Sequence, residues 1–181
     1  MGISVLAIAL LSHVGSTVSA HRLLDVQSVR TVALGDARQV LARLRSDENW
    51  PSLYGRLLLH QKLAADGAAP LTFANGQGAW RPVDYFPDFV ASSQLQDLGV
   101  LIAVPSPQPA ASDPTGAPVL REDVADAAFG LPVDLNTDTV IDGEGRNHDY
   151  EMLPVIVRMR WRGPKGAVEE IRLHSWLRGD R

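Results

Sequence analysis

Residues 1–46 read MGISVLAIALLSHVGSTVSAHRLLDVQSVRTVALGDARQVLARLRS, and they contain no proline. The first 21, Met1 to His21, also lack Asp, Glu, Lys and Arg, so Arg22 is the first charge. Ile3, Val5, Leu6, Ala7, Ile8, Ala9, Leu10 and Leu11 form an apolar run broken only by Ser4, and Val14, Gly15, Val18 and Ala20 extend it. From Leu23 the apolar positions Val26, Val29, Ala33, Ala37, Val40, Leu41 and Leu44 recur every three or four residues, the stripe that an amphipathic helix buries. The stretch therefore predicts one helix of about 45 residues, apolar in its first half and amphipathic in its second. At about 1.5 Å per residue, 21 residues cover roughly 32 Å, close to the hydrocarbon thickness of a bilayer. Ser12, His13, Ser16 and Thr17 dilute the span, and Gly35 costs the helix about 1 kcal/mol relative to Ala.

A second reading competes with the rod. Val18-Ser19-Ala20 has the small-residue pattern of a signal-peptide cleavage site, and Ile3 to Leu11 has the length of its apolar core, but no basic residue precedes that core. Cleavage after Ala20 would release a secreted or periplasmic binding module without half the helix.

The C-terminal end carries the clearest β signal. Val155, Val157, Met159 and Trp161 alternate with Ile156, Arg158, Arg160 and Arg162, and Gly163-Pro164-Lys165-Gly166 supplies a turn. Ile171, Leu173, Ser175 and Leu177 then alternate with Glu170, Arg172, His174 and Trp176. This predicts an antiparallel hairpin over 150–177 with one apolar face. The N-terminal helix is long enough to cover that face, an α+β arrangement.

Between these ends the signals are weaker. Asp47 or Asn49 is placed to cap a second helix with Pro51 in its first turn, with Leu53, Leu57, Leu58 and Leu63 inward and Asp66-Gly67 at its end. Residues 68–97 read as irregular, with short strands near Leu71 to Phe73 and Trp80 to Val83. Leu98 to Val104, closed by Pro105, reads as a strand, and Pro105 to Pro118 as a surface loop.

The long half-apolar helix followed by a small sheet resembles type IV pilin-like proteins, the minor pilins and the pseudopilins of type II secretion. Their apolar run is similar to Leu6-Ala7-Ile8-Ala9-Leu10-Leu11, and a Pro-Val-x-Val strand with a Trp, a Gly-containing turn and a closing strand is similar to their ends. The resemblance implies a pilin-like fold with three parts: 1–21 as the membrane and filament-core half-helix, 22–46 as the amphipathic half, and 47–181 as a periplasmic head. It implies a non-enzymatic subunit of a pilus or pseudopilus, anchored by a single pass in a bacterial inner membrane or built into an extracellular filament. Ile3, Val5, Leu6, Ile8, Leu10, Leu11, Val14 and Val18 would then serve assembly and membrane seating. Its partners would be other pilin or pseudopilin subunits and the inner-membrane assembly platform. The family's Gly-Phe-Thr-Leu-x-Glu motif is expected upstream of Met1, in an extended reading frame.

Composition narrows the chemistry. The chain has 181 residues with 45% hydrophobic and 21% charged residues, values of an ordinary globular protein. It has no cysteine, which excludes disulfides, thiolate metal sites and cysteine nucleophiles. Charge is uneven: thirteen Asp and Glu face only Arg121 and Arg146 between Asp84 and Glu151, whereas Met152 to Arg181 is basic. Opposite-sign regions of this kind can pair between neighbouring subunits, or stay solvated. Basic residues are not interleaved with aromatics, so no nucleic-acid footprint is expected. Asp134, Asn136, Asp138 and Asp142 follow the Asp-x-Asn-x-Asp opening of a calcium loop, although Thr139 stands where the sharp turn takes Gly and Gly145 where a bidentate Glu is needed. The competing reading is an Asx-rich turn bending at Asp142-Gly143. His13, His21, His60, His148 and His174 have no metal-ligand spacing, and no nucleophile-elbow motif occurs, so no enzyme is expected.

Overall fold

The computed structural model describes residues 2–46, 49–65, 92–115, 117–163 and 166–179. Helix α1 (Gly2–Arg45) is followed by a 3₁₀ turn (Trp50–Ser52), helix α2 (Leu53–Ala65) and strands β1 (Gln96–Ala103), β2 (Met152–Arg162) and β3 (Val168–Arg178). The strands form one antiparallel sheet in the order β1-β2-β3. The expected α+β arrangement is present, with a long N-terminal helix on a three-stranded sheet.

Alternation along the hairpin fixes its register. Val155 lies opposite Ser175, Val157 opposite Leu173, Met159 opposite Ile171 and Trp161 opposite Glu169 on the face toward α1, while Arg158 meets Arg172 and Arg160 meets Glu170 on the other. A slip of one residue would turn every apolar side chain to solvent. The Gly163 N–H donates to the Ala167 carbonyl at 2.8 Å and the Gly166 N–H to the Gly163 carbonyl at 2.9 Å. Gly166 has φ +75°, a conformation in which a Cβ is strained. Pro164 and Lys165 lie outside the described residues. Strand β1 begins two residues before the expected Leu98, with an irregularity between Gln96 and Gly99, and it sets Val100 and Ile102 beside Met159 and Val157.

Helix α1 is continuous through Ala20 and Gly35. Ala33, Ala37, Val40, Leu41 and Leu44 are buried against the sheet, Val26 and Val29 are half-buried, and Leu23 is 65% exposed. The buried stripe is thus shorter than its periodicity predicts, and strand length explains why. Arg30 pairs with Glu169 at 3.5 Å near the hairpin turn, and Arg45 donates to the Ser175 hydroxyl at 3.2 Å. The 15 helical residues between these contacts rise about 22 Å, and the six strand residues between their partners cover about 20 Å, so helix and β3 run side by side in the same direction. Strand β3 starts at Val168, so it does not continue beneath the helix ahead of Arg30, where Val29 still packs beside Leu95 and Trp161.

The remaining core comes from α2 and the long segment before β2. Leu53 and Leu57 are buried with Leu120, Leu131, Leu135 and Tyr150, and Leu58 packs at the edge. Asn49 makes no side-chain cap, contrary to expectation. Its carbonyl instead accepts the Ser52 N–H and hydroxyl, both at 3.1 Å, because Pro51 has no N–H and the first turn closes as 3₁₀. Tyr150 fastens this corner: its hydroxyl donates to the Trp50 carbonyl at 2.6 Å and accepts the Tyr54 N–H at 2.9 Å. The Tyr54 hydroxyl donates in turn to the Pro105 carbonyl, and its burial, with Tyr150 beside it, raises its pKa. Asp47, the Leu63 side chain, the Asp66-Gly67 stop and the strands expected within 71–83 lie outside the described residues.

Candidate functional site

Three surfaces carry the residues of interest: the projecting half of α1, an acidic loop cluster, and the sheet face turned away from α1. On α1, Val14, Val18, Leu23 and Leu24 are exposed. At 100° per residue Val14 and Val18 share a side, while Leu23 and Leu24 point elsewhere round the axis. Exposed apolar side chains therefore point to more than one side of this stretch, among the exposed His13, Ser16, Thr17, Ser19, His21 and Arg22. Ser16 and Thr17 both donate to the His13 carbonyl at 2.9 Å, and Ser19 donates to the Gly15 carbonyl at 2.9 Å. Hydroxyls satisfied on their own helix cost less to remove from water. Ile3, Val5, Leu6, Ile8, Leu10 and Leu11 belong to α1, and their side chains lie outside the described residues. Among the described residues no helix is long and apolar enough to cross a membrane.

The loop with calcium-like spacing is organised by a guanidinium. Arg146 donates through Nε to Glu122, and its Nη2 lies 2.9 Å from Asp142 and 3.6 Å from Asp138, with Nη1 3.4 Å from Asp149. All three guanidinium nitrogens thus face carboxylates, and their charge holds the Arg146 pKa up against a burial cost. The other oxygens of the loop turn to backbone: Asp134 accepts the Thr139 N–H at 2.7 Å, Asp138 the Val140 N–H at 2.8 Å, and Asp142 the Glu144 N–H at 2.9 Å. Asn136 donates to Asp138 at 2.8 Å, the main reason the Asp138 carboxyl lies below its ordinary pKa. Thr137 and Thr139 take positive φ, 62° and 75°, to complete the coil. Among the described residues no group of three or more His, Asp or Glu is arranged to hold a metal ion. Asp134, Asn136, Asp138 and Asp142 lie in a coil of side-chain-to-backbone turns, with Arg146 facing Asp138 and Asp142.

Glu122 is the member that charge counting missed. It is 0% exposed, and burial pushes its carboxyl pKa up while the Arg146 hydrogen bond and charge pull it down. Its Oε2 and the buried Asp134 Oδ1 have no hydrogen-bond partner. A signal existed: Arg146 is the only Lys or Arg from Glu122 to Val157.

The outer sheet face inverts this arrangement. Glu170 accepts from Arg172 Nε at 2.6 Å, from Arg158 Nε and Nη2 at 3.2 Å, and from Arg160 Nε. Burial raises the Glu170 carboxyl, but the hydrogen bonds of Arg160 and Arg172 and the charges of Arg158 and Arg160 outweigh it, bringing the pKa down to about 2. Further along the same face lies a groove of about 300 Å³ lined by Phe129, Gly130, Pro154, His174 and Trp176. His174 Nδ1 lies 3.2 Å from the Ala128 carbonyl, and Gly130, at φ +72°, leaves room for the Trp176 ring. The chain matches no protein-family model, no curated protein and no solved structure.

Proposed function

We propose that this chain is a non-enzymatic assembly subunit of the type IV pilin-like kind, a minor pilin or a type II secretion pseudopilin. Residues 1–21 would seat in the inner membrane and then in a filament core, with the head in the periplasm. The observation that carries the reading is the two-part helix. Its second half is fixed to the sheet, while the stretch from Val14 to Leu24 offers exposed apolar side chains in several directions and closes its own hydroxyls. A helix apolar on several sides is stable when lipid or other helices surround it, and small and hydroxylated residues let helices approach closely. On this reading the protein works by packing: extraction from the bilayer is coupled to docking on neighbouring subunits or the inner-membrane assembly platform.

The absence of cysteine from the chain makes the test direct. Val18→Cys, expressed in the native cells and treated with a thiol cross-linker, should yield adducts with other copies or with a membrane partner. A protein recovered as monomer, with its N-terminus at His21, would overturn this reading in favour of a released binding module.

A further inference from the structure

We infer that the tip of the hairpin formed by β2 and β3, led by Val168, rests in the phospholipid headgroup layer when α1 is seated in a bilayer, a contact that depends on the membrane reading above.

Direction and length place it there. Strand β3 runs alongside α1 in the same sense and Arg30 meets Glu169, so the turn that precedes β3 points back toward the projecting half of the helix. The nine residues from His21 to Arg30 rise about 13 Å. Val168 and Ala167 reach back from Glu169 by about 7 Å, which leaves the tip about 6 Å beyond the level of His21. A headgroup layer is about 5–7 Å deep on each side of the hydrocarbon. A helix that holds residues 1–21 in the hydrocarbon therefore carries the tip to the depth of the lipid phosphates.

The side chains suit that depth. Val168 is 64% exposed, beside the exposed Gly166 and Ala167. Leu23 and Leu24, also exposed, stand within about one helical turn of the same level on α1. The charges at this end are Arg22, Arg30 and Arg162 against Asp25 and Glu169, a near balance that anionic phosphates tolerate. The acid-rich coil that contains Asp134, Asp138 and Asp142 is held at the other end. Its Leu135 carbonyl accepts the Glu151 and Met152 N–H groups, and the ten steps from Met152 to Arg162 put the start of β2 about 33 Å from the turn. The opposite orientation would press those carboxylates against the phosphates, so charge as well as length selects the hairpin end. The contact is small, and it forms because the helix already holds the tip at the surface. Touching lipid on one side fixes the rotation of the head about the helix axis, so every seated copy presents the same flank to its neighbours.

The absence of cysteine again allows single labels. The full chain is reconstituted in vesicles of phosphatidylethanolamine and phosphatidylglycerol, with a fluorophore on one introduced cysteine and nitroxide quenchers on either the lipid headgroup or the acyl chain. Val18→Cys should be quenched from the acyl chain, Ala167→Cys from the headgroup, and Ile141→Cys from neither. Adding Val168→Asp should cut the Ala167→Cys quenching at least twofold, and Val168→Leu should preserve it. If Val18→Cys is quenched but Ala167→Cys is quenched no more than Ile141→Cys, the hairpin contact is wrong and the membrane seat stands. If Val18→Cys is not quenched either, the seat fails and the contact with it. Headgroup quenching indifferent to Val168→Asp would overturn the part assigned to Val168.

Discussion

The Arg146 cluster and the Glu170 cluster are mirror images in charge and differ in burial. In the first, one cation holds four carboxylates, one of them fully buried; in the second, one carboxylate is shared by three arginines on an open sheet face. Burial decides the sign of the acid's response. Glu122, with one oxygen unpartnered in the interior, has its pKa raised, whereas Glu170, with both oxygens bonded to guanidinium groups, is lowered to about 2. An ion pair is therefore not a fixed quantity of stability: the same two groups stabilise or strain the fold according to how completely the charged form replaces its lost water.

The largest break in this comparison comes from Arg146→Met. Removing the cation leaves Glu122 buried with its charge uncompensated and uncouples the coil that Asp138 and Asp142 form, at an expected cost of about 3–5 kcal/mol. Urea unfolding at neutral pH measures it, and a loss under about 1 kcal/mol would show that the cluster is decorative. Glu170→Gln is the milder break, expected to cost about 1–2 kcal/mol, since the arginines around it are partly solvated. Its pH dependence sharpens the contrast. The folded pKa lies below the ordinary 4.5, so the stabilisation is fully present above 4.5 and disappears as the pH falls toward about 2. Wild type and Glu170→Gln should therefore approach one another in acid, and a gap as large near pH 2 as at neutral pH would contradict the pairing. Glu122 contributes the opposite slope, because a raised pKa favours folding at low pH and the advantage fades as the pH rises. The smallest effect is expected from calcium. With Arg146 occupying the carboxylates, millimolar calcium should leave the melting temperature unchanged, and a clear upward shift would mean that a cation displaces the guanidinium.

Local pattern explains what the sequence revealed. The helix is legible because 46 residues carry no proline and those from Leu23 onward keep one period, and the hairpin because two strands alternate around a glycine-bearing turn. Long-range packing was less legible. Leu23 has the periodicity of a core residue and stays exposed two turns ahead of Arg30, whose partner Glu169 is the second residue of β3, a limit set some 140 residues away along the chain. The Asp134 to Asp142 spacing, likewise, specifies oxygens turned toward a common centre without specifying what fills it. That depends on Arg146, four residues beyond Asp142, and on Glu122, brought in from an earlier loop. Alternation along β3 places Glu170 opposite the apolar face, but its three arginine partners follow only from the cross-strand register.

The parallel course of α1 and β3 has a mechanical consequence. Force applied to the projecting end of the helix would load its seat in shear, along an axis shared with the strand. Contacts from Arg30 to Arg45 would then bear the load together over roughly 20 Å instead of opening one after another from an edge. A sheet joined in that way resists being peeled from the helix and takes up tension along its strands.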